Sequence, residues 1–351
     1  MNNIYNILRK IKECGYDAYI VGGFVRDKLL KIDSLDIDIC TSAKPEDIKK
    51  IFPFAKDKSL FCFSFKENNY NVEITSFRKE SNYNGRRPLQ LEYGTLYDDL
   101  ERRDFTINTL LLDENDNIID YLNGKQDLEQ KVIRVVGNSN QKIKDDTLRI
   151  LRAIRFATTL NFTLDSDLEV AIEKYSQNLK NLSIYRIRSE LDKIIINENF
   201  KYGLSLFKKF NLDKILKINI PSHITYTKNY LGIYLQLNMD DCYFTRNELK
   251  VLNFLKRYLN KKLNNYDLYI LGESNIELLD EINNTSYINI YKNLIIKKEE
   301  DLDIKYSDIK EFLNQKNLSF NKLKQNIIKN ILNKKLKNKK ADIITYINNN
   351  Y

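Results

Sequence analysis

The sequence predicts an α+β protein in which a mixed β-sheet with helices is followed by a mostly helical remainder. Seven of the ten glycines lie within the first 137 residues, so tight turns are concentrated there. Strand-like alternation of apolar residues is confined to the same region, and from residue 145 onward the apolar residues recur at helical spacing. Because 351 residues exceed what one core usually serves, more than one domain is expected.

The first predicted element is a helix, because Ile4, Ile7, Leu8 and Ile11 share one helical face and Gly15 follows as a stop signal. A strand over residues 18–21 then leads through a glycine turn into a helix over 24–30. Pro45 opens a short helix over 45–52. Further strands are predicted over residues 35–39, 60–65, 71–77, 106–112 and 117–120. The polar stretch 137–142 is interpreted as a domain boundary.

The composition excludes several classes of site. The four cysteines are far apart in sequence, which excludes a zinc finger and indicates a reducing, cytoplasmic location. His223 is the only histidine, so a metal site built from several histidines is impossible. No apolar run approaches the roughly 18 residues of a membrane helix, and no membrane association is predicted.

Arginine is the informative part of the net charge of +9. Lysine is abundant throughout this Asn-, Ile- and Lys-rich chain, but only 15 of the 57 basic residues are arginine. Eleven of those arginines fall between Arg78 and Arg188. Where a lysine-rich chain retains arginine, a planar donor able to form paired hydrogen bonds with phosphate or carboxylate is indicated.

The strand predicted over 35–39 has the most informative short pattern. Its alternation places Leu35, Ile37 and Ile39 on one face and Asp36 and Asp38 on the other. The Cα atoms of the two aspartates are expected about 6.6 Å apart, which allows both carboxylates to bind one or two divalent cations. Hard oxygen ligands suit Mg²⁺, which also binds nucleotide phosphates. The alternative interpretation is an edge strand with a solvated polar face.

A glycine pair lies shortly before this strand, in the segment IVGGFVRD at residues 20–27. Glycines let backbone N–H groups approach a phosphate, and the start of a helix adds positive potential. The segment matches neither the P-loop nor the Rossmann pattern. A plain strand-to-helix turn explains Gly22 and Gly23 taken alone, but their position just before a metal-ligand strand favours contact with phosphate.

Five segments in this order carry a family resemblance. They are GGFVRDKLL with DSLDIDICTSAKPEDI (22–48), ERRDFTIN (101–108), DYLNGKQDL (120–128), DDTLRILRAIRF (145–156) and LSIYRIRSEL (182–191). They resemble the motifs of class II tRNA nucleotidyltransferases (CCA-adding enzymes) and bacterial poly(A) polymerases, within the DNA polymerase β superfamily. The resemblance covers roughly residues 1–200. Tyr185 stands where the fifth motif has a glutamate.

The resemblance agrees with the chemistry of the carboxylates. Asp36 and Asp38 are expected to bind Mg²⁺ and to lower the pKa of the RNA 3′-hydroxyl as it attacks the α-phosphate. Glu73, on the strand predicted over 71–77, is a candidate third carboxylate and general base. A solvated strand residue is the alternative for Glu73.

The resemblance also implies nucleotide contacts. Gly23 and Arg26 are expected at the triphosphate, and Arg103 at the incoming nucleotide, with Asp104 near its ribose. Arg152 and Arg155 match nucleotide-contacting positions, and their alternative is a basic helix face.

Asp146 and Arg149 are spaced i, i+3 on a predicted helix, which is typical of a surface ion pair. The spacing also suits the reading of a base edge. Cytosine and adenine both present an amine donor beside a ring-nitrogen acceptor, whereas uracil and guanine present a carbonyl beside an N–H. A carboxylate with a guanidinium therefore accepts C and A and rejects U and G. The resemblance assigns Asp146 and Arg149 this role.

The resemblance implies a polymerase-β-like nucleotidyltransferase head followed by an all-α neck, body and tail. We expect these over residues 1–137, 138–200, 201–265 and 266–351 respectively. The lysine run at 334–340 is expected to contact the tRNA backbone, with a solvated helix face as the alternative.

The expected function is template-independent addition of CCA to tRNA 3′ ends from CTP and ATP, by a cytoplasmic monomer or homodimer. A poly(A) polymerase shares every motif, although such enzymes usually carry longer basic extensions. A specialised A-adding or CC-adding enzyme shares the motifs too, but CC-adding members typically lack the loop that residues 78–99, with Tyr83 and the segment 86–88, retain here. A non-catalytic RNA-binding protein is disfavoured because both Asp36 and Asp38 are present.

Overall fold

The computed structural model describes residues 2–84 and 87–351, with side chains described for 4–80 and 90–351. The chain divides into two compact units, Met1–Ile218 and Asn219–Tyr351. Every strand in the described residues belongs to the first unit. The finer division at residues 137, 200 and 265 stays a prediction.

The first unit is built on a seven-stranded sheet with two small two-stranded sheets beside it. The strands are β1 (Ala18–Val21), β2 (Asp36–Thr41), β3 (Lys56–Ser59), β4 (Cys62–Glu67), β5 (Tyr70–Ser76), β6 (Arg78–Asn84), β7 (Arg87–Tyr93), β8 (Leu111–Leu112), β9 (Ile118–Ile119), β10 (Val132–Ile133) and β11 (Thr163–Leu164). The large sheet has the order β3-β4-β5-β2-β1-β8-β9. Only β2 and β5 pair in parallel in it, so the sheet is mixed, as predicted.

Helices cover this sheet and continue beyond it to the end of the first unit. They are α1 (Asn2–Glu13), α2 (Gly23–Leu29), α3 (Pro45–Ile51), α4 (Leu96–Glu101), α5 (Gly124–Gln130), α6 (Ser139–Asp145), α7 (Leu148–Leu160), α8 (Ser166–Tyr175), α9 (Ile184–Ile195), α10 (Phe200–Lys209) and α11 (Leu212–Ile215). The predicted apolar face of α1 is buried, with Leu8 and Ile11 fully inaccessible. Thr95 caps α4 through a reciprocal bond with Asp98.

The strand predicted over 106–112 is wrong in its first half. Residues Thr106–Asn108 form a 3₁₀ turn, and only Leu111–Leu112 pair as β8. The Thr106 hydroxyl donates to the Asp127 carboxylate, and the Thr109 hydroxyl donates to the Thr106 carbonyl at 2.7 Å. These local side-chain bonds compete with a strand ladder. β3 was not predicted either, because its sequence KDKS has no apolar alternation.

The segment retained between the first and second motifs contains a hairpin. β6 and β7 pair antiparallel, from Arg78 opposite Tyr93 to Asn84 opposite Arg87. Gly85 and Arg86 lie outside the described residues, as do the side chains of Tyr83 and Pro88.

The second unit is helical and has its own core. Its helices are α12 (Tyr230–Gln236), α13 (Arg246–Lys256), α14 (Asn265–Leu271), α15 (Glu273–Asn283), α16 (Tyr287–Lys292), α17 (Tyr306–Lys316), α18 (Phe320–Leu332) and α19 (Lys340–Asn350). Ile327 and Ile328 of α18 pack with Ile343 and Ile347 of α19 in one buried cluster. Across residues 2–84 and 87–351, none of the helices combines the length and apolarity needed to cross a membrane.

Candidate active site

Two aspartates on β2 face away from the core of the first unit. Ile37 and Ile39 are 0% and 1% exposed, whereas Asp36 and Asp38 are exposed on the opposite face. The Asp36 carboxylate accepts a hydrogen bond from Asn71 Nδ2 at 2.8 Å. The predicted alternation is present over residues 36–39 and places both carboxylates on one side of the sheet. Leu35, predicted on the apolar face, lies before the strand and is 57% exposed.

The charge of Asp38 is only partly compensated by the protein. Desolvation by surrounding atoms raises the pKa of the Asp38 carboxyl, and the carboxylates of Glu73 and Asp36 raise it further, against the opposing effect of Arg103 and Lys58. A bound cation would favour the ionised form of this carboxyl. The two carboxylates therefore suit a divalent metal ion.

The donor set fits Mg²⁺ shared with a substrate. Mg²⁺ commonly takes one or two protein carboxylates and completes its octahedron with water and phosphate oxygens. Within residues 2–84 and 87–351, no group of three or more metal-ligating side chains lies together. Asp36 and Asp38 thus offer part of a coordination sphere and leave the remainder to other ligands.

Glu73 lies next to the aspartate pair. β5 runs parallel to β2 with Glu73 opposite Asp38 in the register. The Glu73 carboxylate forms an ion pair with Lys58 of β3, and the Cys62 thiol donates to it at 3.7 Å. The Glu73 carboxylate is therefore already paired with the Lys58 ammonium, and its role as general base stays a prediction.

The glycine turn leaves room beside Asp38. Gly22 has φ +84, a conformation that L side chains rarely adopt. A Cβ atom there would lie 3.4 Å from Arg103 Nη1 and 3.6 Å from Asp38 Oδ2. Gly23 follows as the first residue of α2, where a Cβ would lie 3.6 Å from Arg26 Nη2. The turn thus brings bare backbone close to both a carboxylate and two guanidinium groups.

Arg26 is held inside the protein. It is 8% exposed, and its Nε and Nη2 donate to Asp27 Oδ1 at 2.8 and 2.7 Å. Its Nη1 donates to Asn108 Oδ1 at 2.7 Å. The predicted contact of Arg26 with a triphosphate stays a prediction, because its guanidinium already has protein partners on three nitrogens.

Arg103 lies just after α4 and links that helix to the aspartate strand. Its Nη2 donates to Asp99 Oδ2 at 3.0 Å, and Asp99 is fully buried. Arg102 donates to the other oxygen of the same carboxylate, with Nη2 at 2.7 Å. The Nε of Arg103 is buried and has no hydrogen-bond partner among the described residues. Asp99 therefore fixes two adjacent arginines whose positive charge faces the sheet and the cavity described below.

Asp104 is half-buried and strongly ion-paired. Burial alone would raise the pKa of its carboxyl, but Arg152 and the hydrogen bonds from Asn108 and the Phe105 N–H lower it to about 2. Arg152 Nε donates to Asp104 Oδ2 at 2.8 Å, and Asn108 Nδ2 donates to Oδ1 at 3.1 Å. The structure therefore ties Arg152 to Asp104 and holds that carboxylate ionised.

Three arginine side chains pack against the ring of Phe156. The guanidinium carbons of Arg26, Arg152 and Arg155 lie 5.1, 5.8 and 4.0 Å from its centroid. Cation–π contact of this kind favours the flat guanidinium. Arg155 Nε also donates to Glu190 Oε2 at 2.6 Å. Arg152 and Arg155 are thus ordered parts of a network and not members of a solvated basic face.

Asp146 and Arg149 are close together, but the expected helix position of Asp146 is wrong. Asp146 is extended (φ −143) between α6 and α7, because its carboxylate accepts the Leu148 N–H at 3.1 Å. Arg149 lies in the first turn of α7 and is 7% exposed. Its Nη1 donates to the Lys142 carbonyl at 2.7 Å. The Asp146 carboxylate is paired instead with Arg186 of α9, at 3.0 and 3.2 Å.

Lys142 forms hydrogen bonds with both arginine-containing segments of the site. Its ammonium donates to the carbonyls of Glu101 and Arg103, the latter at 3.4 Å. Burial, together with the neighbouring charge of Arg149, lowers the pKa of Lys142 to about 8. The backbone and side chain of Lys142 therefore hold Arg149 and Arg103 in one region.

Several of the arginines and carboxylates described above line a cavity of about 410 Å³ in the first unit. Its walls come from the segment after α4, from the start of α7 and from the start of α9. The lining residues are Arg102, Arg103, Asp104, Asp146, Leu148, Arg149, Arg152, Tyr185, Arg186, Ser189 and Glu190. The cavity therefore contains Arg103, Asp146, Arg149 and Arg152 of the predicted site, while Arg155 contacts it through Glu190.

Sequence reasoning assigned no role to several residues that organise this site. Arg186 and Glu190 lie within the fifth motif, and Asn108 lies within the second, so membership in a motif was the available signal. Asp99 precedes the second motif and had no signal in the sequence. Its importance follows only from complete burial between two arginines.

Comparison with known proteins identifies the family. The chain matches the Poly A polymerase head domain over residues 18–134 and the probable RNA and SrmB- binding site of polymerase A over residues 161–221. It is 32% identical to the CCA-adding enzyme of Lactococcus lactis subsp. cremoris (strain SK11), over 97% of this chain and 94% of that protein. It is also 32% identical to that of Staphylococcus haemolyticus (strain JCSC1435), over 99% and 98%. The chain belongs to the family of CCA-adding enzymes.

Other relatives match over a shorter region. The CCA-adding enzyme of Streptococcus mutans serotype c (strain ATCC 700610 / UA159) is 42% identical over 57% of this chain, and the chain spans about half the length of that relative (51%).

Solved structures show the same fold. Bacillus stearothermophilus CCA-adding enzyme in complex with CTP superimposes with a TM-score of 0.79 at 23% identity, over 99% of this chain and 96% of that one. Thermotoga maritima CCA-adding enzyme complexed with tRNA_CCA gives 0.70 at 22% identity, over 99% and 95%. The predicted fold, a polymerase-β-like head followed by helices, is confirmed.

The ion pair of Asp104 has a pH-dependent consequence. Because the pKa of this carboxyl is lower in the folded chain than its ordinary value of 3.8, its contribution to stability is complete above about pH 5 and is lost as the pH falls toward 2. The free energy of unfolding of the wild type should therefore exceed that of Asp104→Asn by more at pH 6 than at pH 3. Urea denaturation of both proteins at pH 6, 4 and 3 measures this difference. A difference that does not shrink at low pH would contradict the assignment.

Proposed function

We propose that this chain adds CCA to the 3′ ends of tRNA from CTP and ATP without a nucleic-acid template. One observation carries the proposal. Arg103 lies against the Asp38 side of the glycine turn and also lines the cavity that contains Asp146 and Arg149. The carboxylates for phosphoryl chemistry and the pair for base selection are therefore joined by one guanidinium, as a single nucleotide bound across both would require.

Asp36 and Asp38 would hold Mg²⁺ through their carboxylates. When bound, the ion supplies charge stabilisation at the α-phosphate and lowers the pKa of the attacking 3′-hydroxyl. Arg103 and Arg152 place positive charge on the cavity side, where the negative charge of the triphosphate is expected. Glu73 would accept the hydroxyl proton only after release from its ion pair with Lys58.

Base selection would come from Asp146 and Arg149. The Asp146 carboxylate is held by Arg186 and the Leu148 N–H, yet a carboxylate has about four acceptor positions and can still accept an exocyclic amine. Arg149 would donate to the ring nitrogen from its fixed position above the Lys142 carbonyl. Arg186 and Lys142 thus hold the two selecting groups in place, as a protein template without an RNA template needs.

The RNA would be bound partly through the second unit. Lys334, Lys335, Lys337, Lys339 and Lys340 are all exposed, and Lys340 pairs with Asp308. The run lies mostly in the connection between α18 and α19, and Ile343 and Ile347 of α19 are buried in the core of the unit, so the connection is held between two packed helices. Exposed lysines on a fixed surface suit the backbone phosphates of tRNA.

The four cysteines, Cys14, Cys40, Cys62 and Cys242, are free thiols, which supports a cytoplasmic location. Whether the enzyme acts as a monomer or a homodimer stays a prediction.

Incubation with tRNA lacking CCA, together with labelled CTP and ATP, tests the proposal directly. Addition of two C residues and one A is the expected result. A long ladder of A residues would identify a poly(A) polymerase, and addition of C alone or A alone would identify a specialised enzyme. No incorporation with tRNA still bound would identify a non-catalytic RNA-binding protein.

The first prediction from the proposed function concerns the metal ligands. Asp36→Asn or Asp38→Asn should lower incorporation at least about a hundredfold, because the bound ion supplies several kcal/mol of charge stabilisation. Affinity for tRNA should change little. Asp33→Asn is the matched control, since Asp33 is an exposed aspartate just before the same strand. Near-normal Mg²⁺-dependent turnover in either ligand variant would show that the assignment is wrong.

The second prediction concerns base selection. Arg149→Met keeps the apolar stem but removes the donor, so kcat/KM for CTP and ATP should fall by a factor corresponding to about 1–3 kcal/mol. UTP and GTP should lose much less, because their N–H edge never matched the guanidinium. Arg188→Met is the matched control, since Arg188 is a similarly buried arginine that pairs with Asp192 and does not line the cavity. An unchanged preference for CTP over UTP would refute the role of Arg149.

The third prediction concerns the lysine run. Replacing Lys335, Lys337 and Lys339 by Gln should weaken tRNA binding and reduce the slope of log K against log salt by roughly two to three, because fewer phosphates are neutralised. The same change at three exposed lysines of the first unit, Lys66, Lys125 and Lys180, alters the net charge equally and serves as the control. Equal effects in both triple variants would mean that only net charge matters.

A further inference from the structure

Tyr185 has an unusual environment at the rim of the cavity. It lies in the first turn of α9 and is 83% exposed, more than any other large hydrophobic residue in the described part of the chain. Within the same residues it has no hydrogen bond, ring contact or ion pair. Tyr185 is nevertheless among the residues that line the cavity. Neither core packing nor a polar contact therefore accounts for an aromatic residue at this position.

The backbone beneath this ring is held firmly. The next residue, Arg186, binds both oxygens of Asp146 at 3.0 and 3.2 Å. Ile187, one position further, is 3% exposed and belongs to the core. Tyr185 is thus the exposed residue of a helix turn that is fixed to the base-selecting carboxylate and to the interior. Because the backbone is fixed, only the side-chain rotamers of Tyr185 have to be ordered when the ring binds a planar ligand.

The proposed selecting groups leave part of the substrate unrecognised. Asp146 and Arg149 act in the plane of the base, through its Watson–Crick edge, and so contribute nothing to its two faces. Stacking on an aromatic ring is the usual protein contact to the face of a base, and it is insensitive to base identity. A face contact that tolerates both a pyrimidine and a purine is what an enzyme using CTP and ATP at one site needs.

We propose that Tyr185 stacks on the base of the incoming nucleotide and forms the face-binding part of the cavity. This inference rests on the proposed function, since it assumes that the base lies with its edge toward Asp146 and Arg149. Tyr185 thereby increases affinity for both substrates without discriminating between their edges. The larger adenine ring overlaps the phenol more than cytosine does, so ATP depends on Tyr185 more than CTP.

The test is equilibrium binding of CTP and of ATP to the full-length protein in the presence of Mg²⁺ and without RNA. Tyr185→Leu removes the aromatic ring but keeps an apolar side chain, and Tyr185→Phe keeps the ring without the hydroxyl. Loss of one stacked base corresponds to roughly a fivefold to hundredfold weaker affinity. We expect a loss in this range for ATP with Tyr185→Leu, a smaller loss for CTP, and a change within about twofold for Tyr185→Phe. The ratio of CTP to UTP affinity should be unchanged.

Arg149→Met is measured alongside to separate the two hypotheses. If Arg149→Met weakens CTP binding and Tyr185→Leu does not, the stacking role is wrong while the proposed cavity remains. If neither variant weakens binding, the cavity does not hold the base and the proposed function of this site fails first. If Tyr185→Leu leaves nucleotide binding intact but weakens tRNA binding, the ring contacts the RNA strand, which also overturns the inference. Because the side chain is 83% exposed, urea denaturation should show unchanged stability in both Tyr185 variants.

Discussion

The ion pair between the half-buried carboxylate of Asp104 and Arg152 is the interaction on which the site depends. It accepts hydrogen bonds from Arg152 and from Asn108, and each of these continues to a further charged group. Asn108 accepts from Arg26 on one side, and Arg152 shares Glu190 with Arg155 on the other, at 3.9 and 2.6 Å. The resulting network joins α2, the 3₁₀ turn, α7 and α9. The members in order are Arg26, Asn108, Asp104, Arg152, Glu190 and Arg155. Removal of Arg152 would leave the Asp104 carboxylate without its ion-pair partner, which is more costly than loss of a surface pair.

This network explains why arginine persists in a chain that otherwise uses lysine. Arg26 donates from three nitrogens to two partners, which an ammonium on a flexible stem could not do with the same geometry. Arg155 lies 4.0 Å from the Phe156 centroid while it donates to Glu190. Both contacts need a planar cation with fixed directions of donation. By contrast, the exposed run around Lys335 needs only positive charge, and lysine serves there.

The two parts of the site have opposite electrostatic characters. Around Asp38, desolvation raises the pKa of the carboxyl and Glu73 and Asp36 raise it further, so three carboxylates face two cations, Arg103 and Lys58. The cavity has five arginines among its lining residues against three acidic ones, an excess of two positive charges. A metal ion would compensate the first region and an anionic ligand the second. A metal-bound nucleotide satisfies both at once, which is the physical basis for assigning the two regions to one substrate.

Local periodicity and motif order determined much of this protein. The alternation of residues 35–39 placed Asp36 and Asp38 on one face, because side chains alternate on every strand whatever its partners are. The i, i+3, i+4 pattern likewise determined α1, and the ordered motifs determined the family.

Tertiary contacts decided the features that local sequence rules could not predict. Asp146 pairs with Arg186, 40 residues away, and not with its neighbour Arg149. Glu73 forms an ion pair with Lys58 because β3, which carries Lys58, pairs with β4. The sequence of β3 has no apolar alternation and so did not predict this strand. Residues 106–108 turn because Thr106 reaches Asp127, 21 positions along the chain. In each case the partner is chosen by proximity in the folded chain, which sequence spacing alone does not specify.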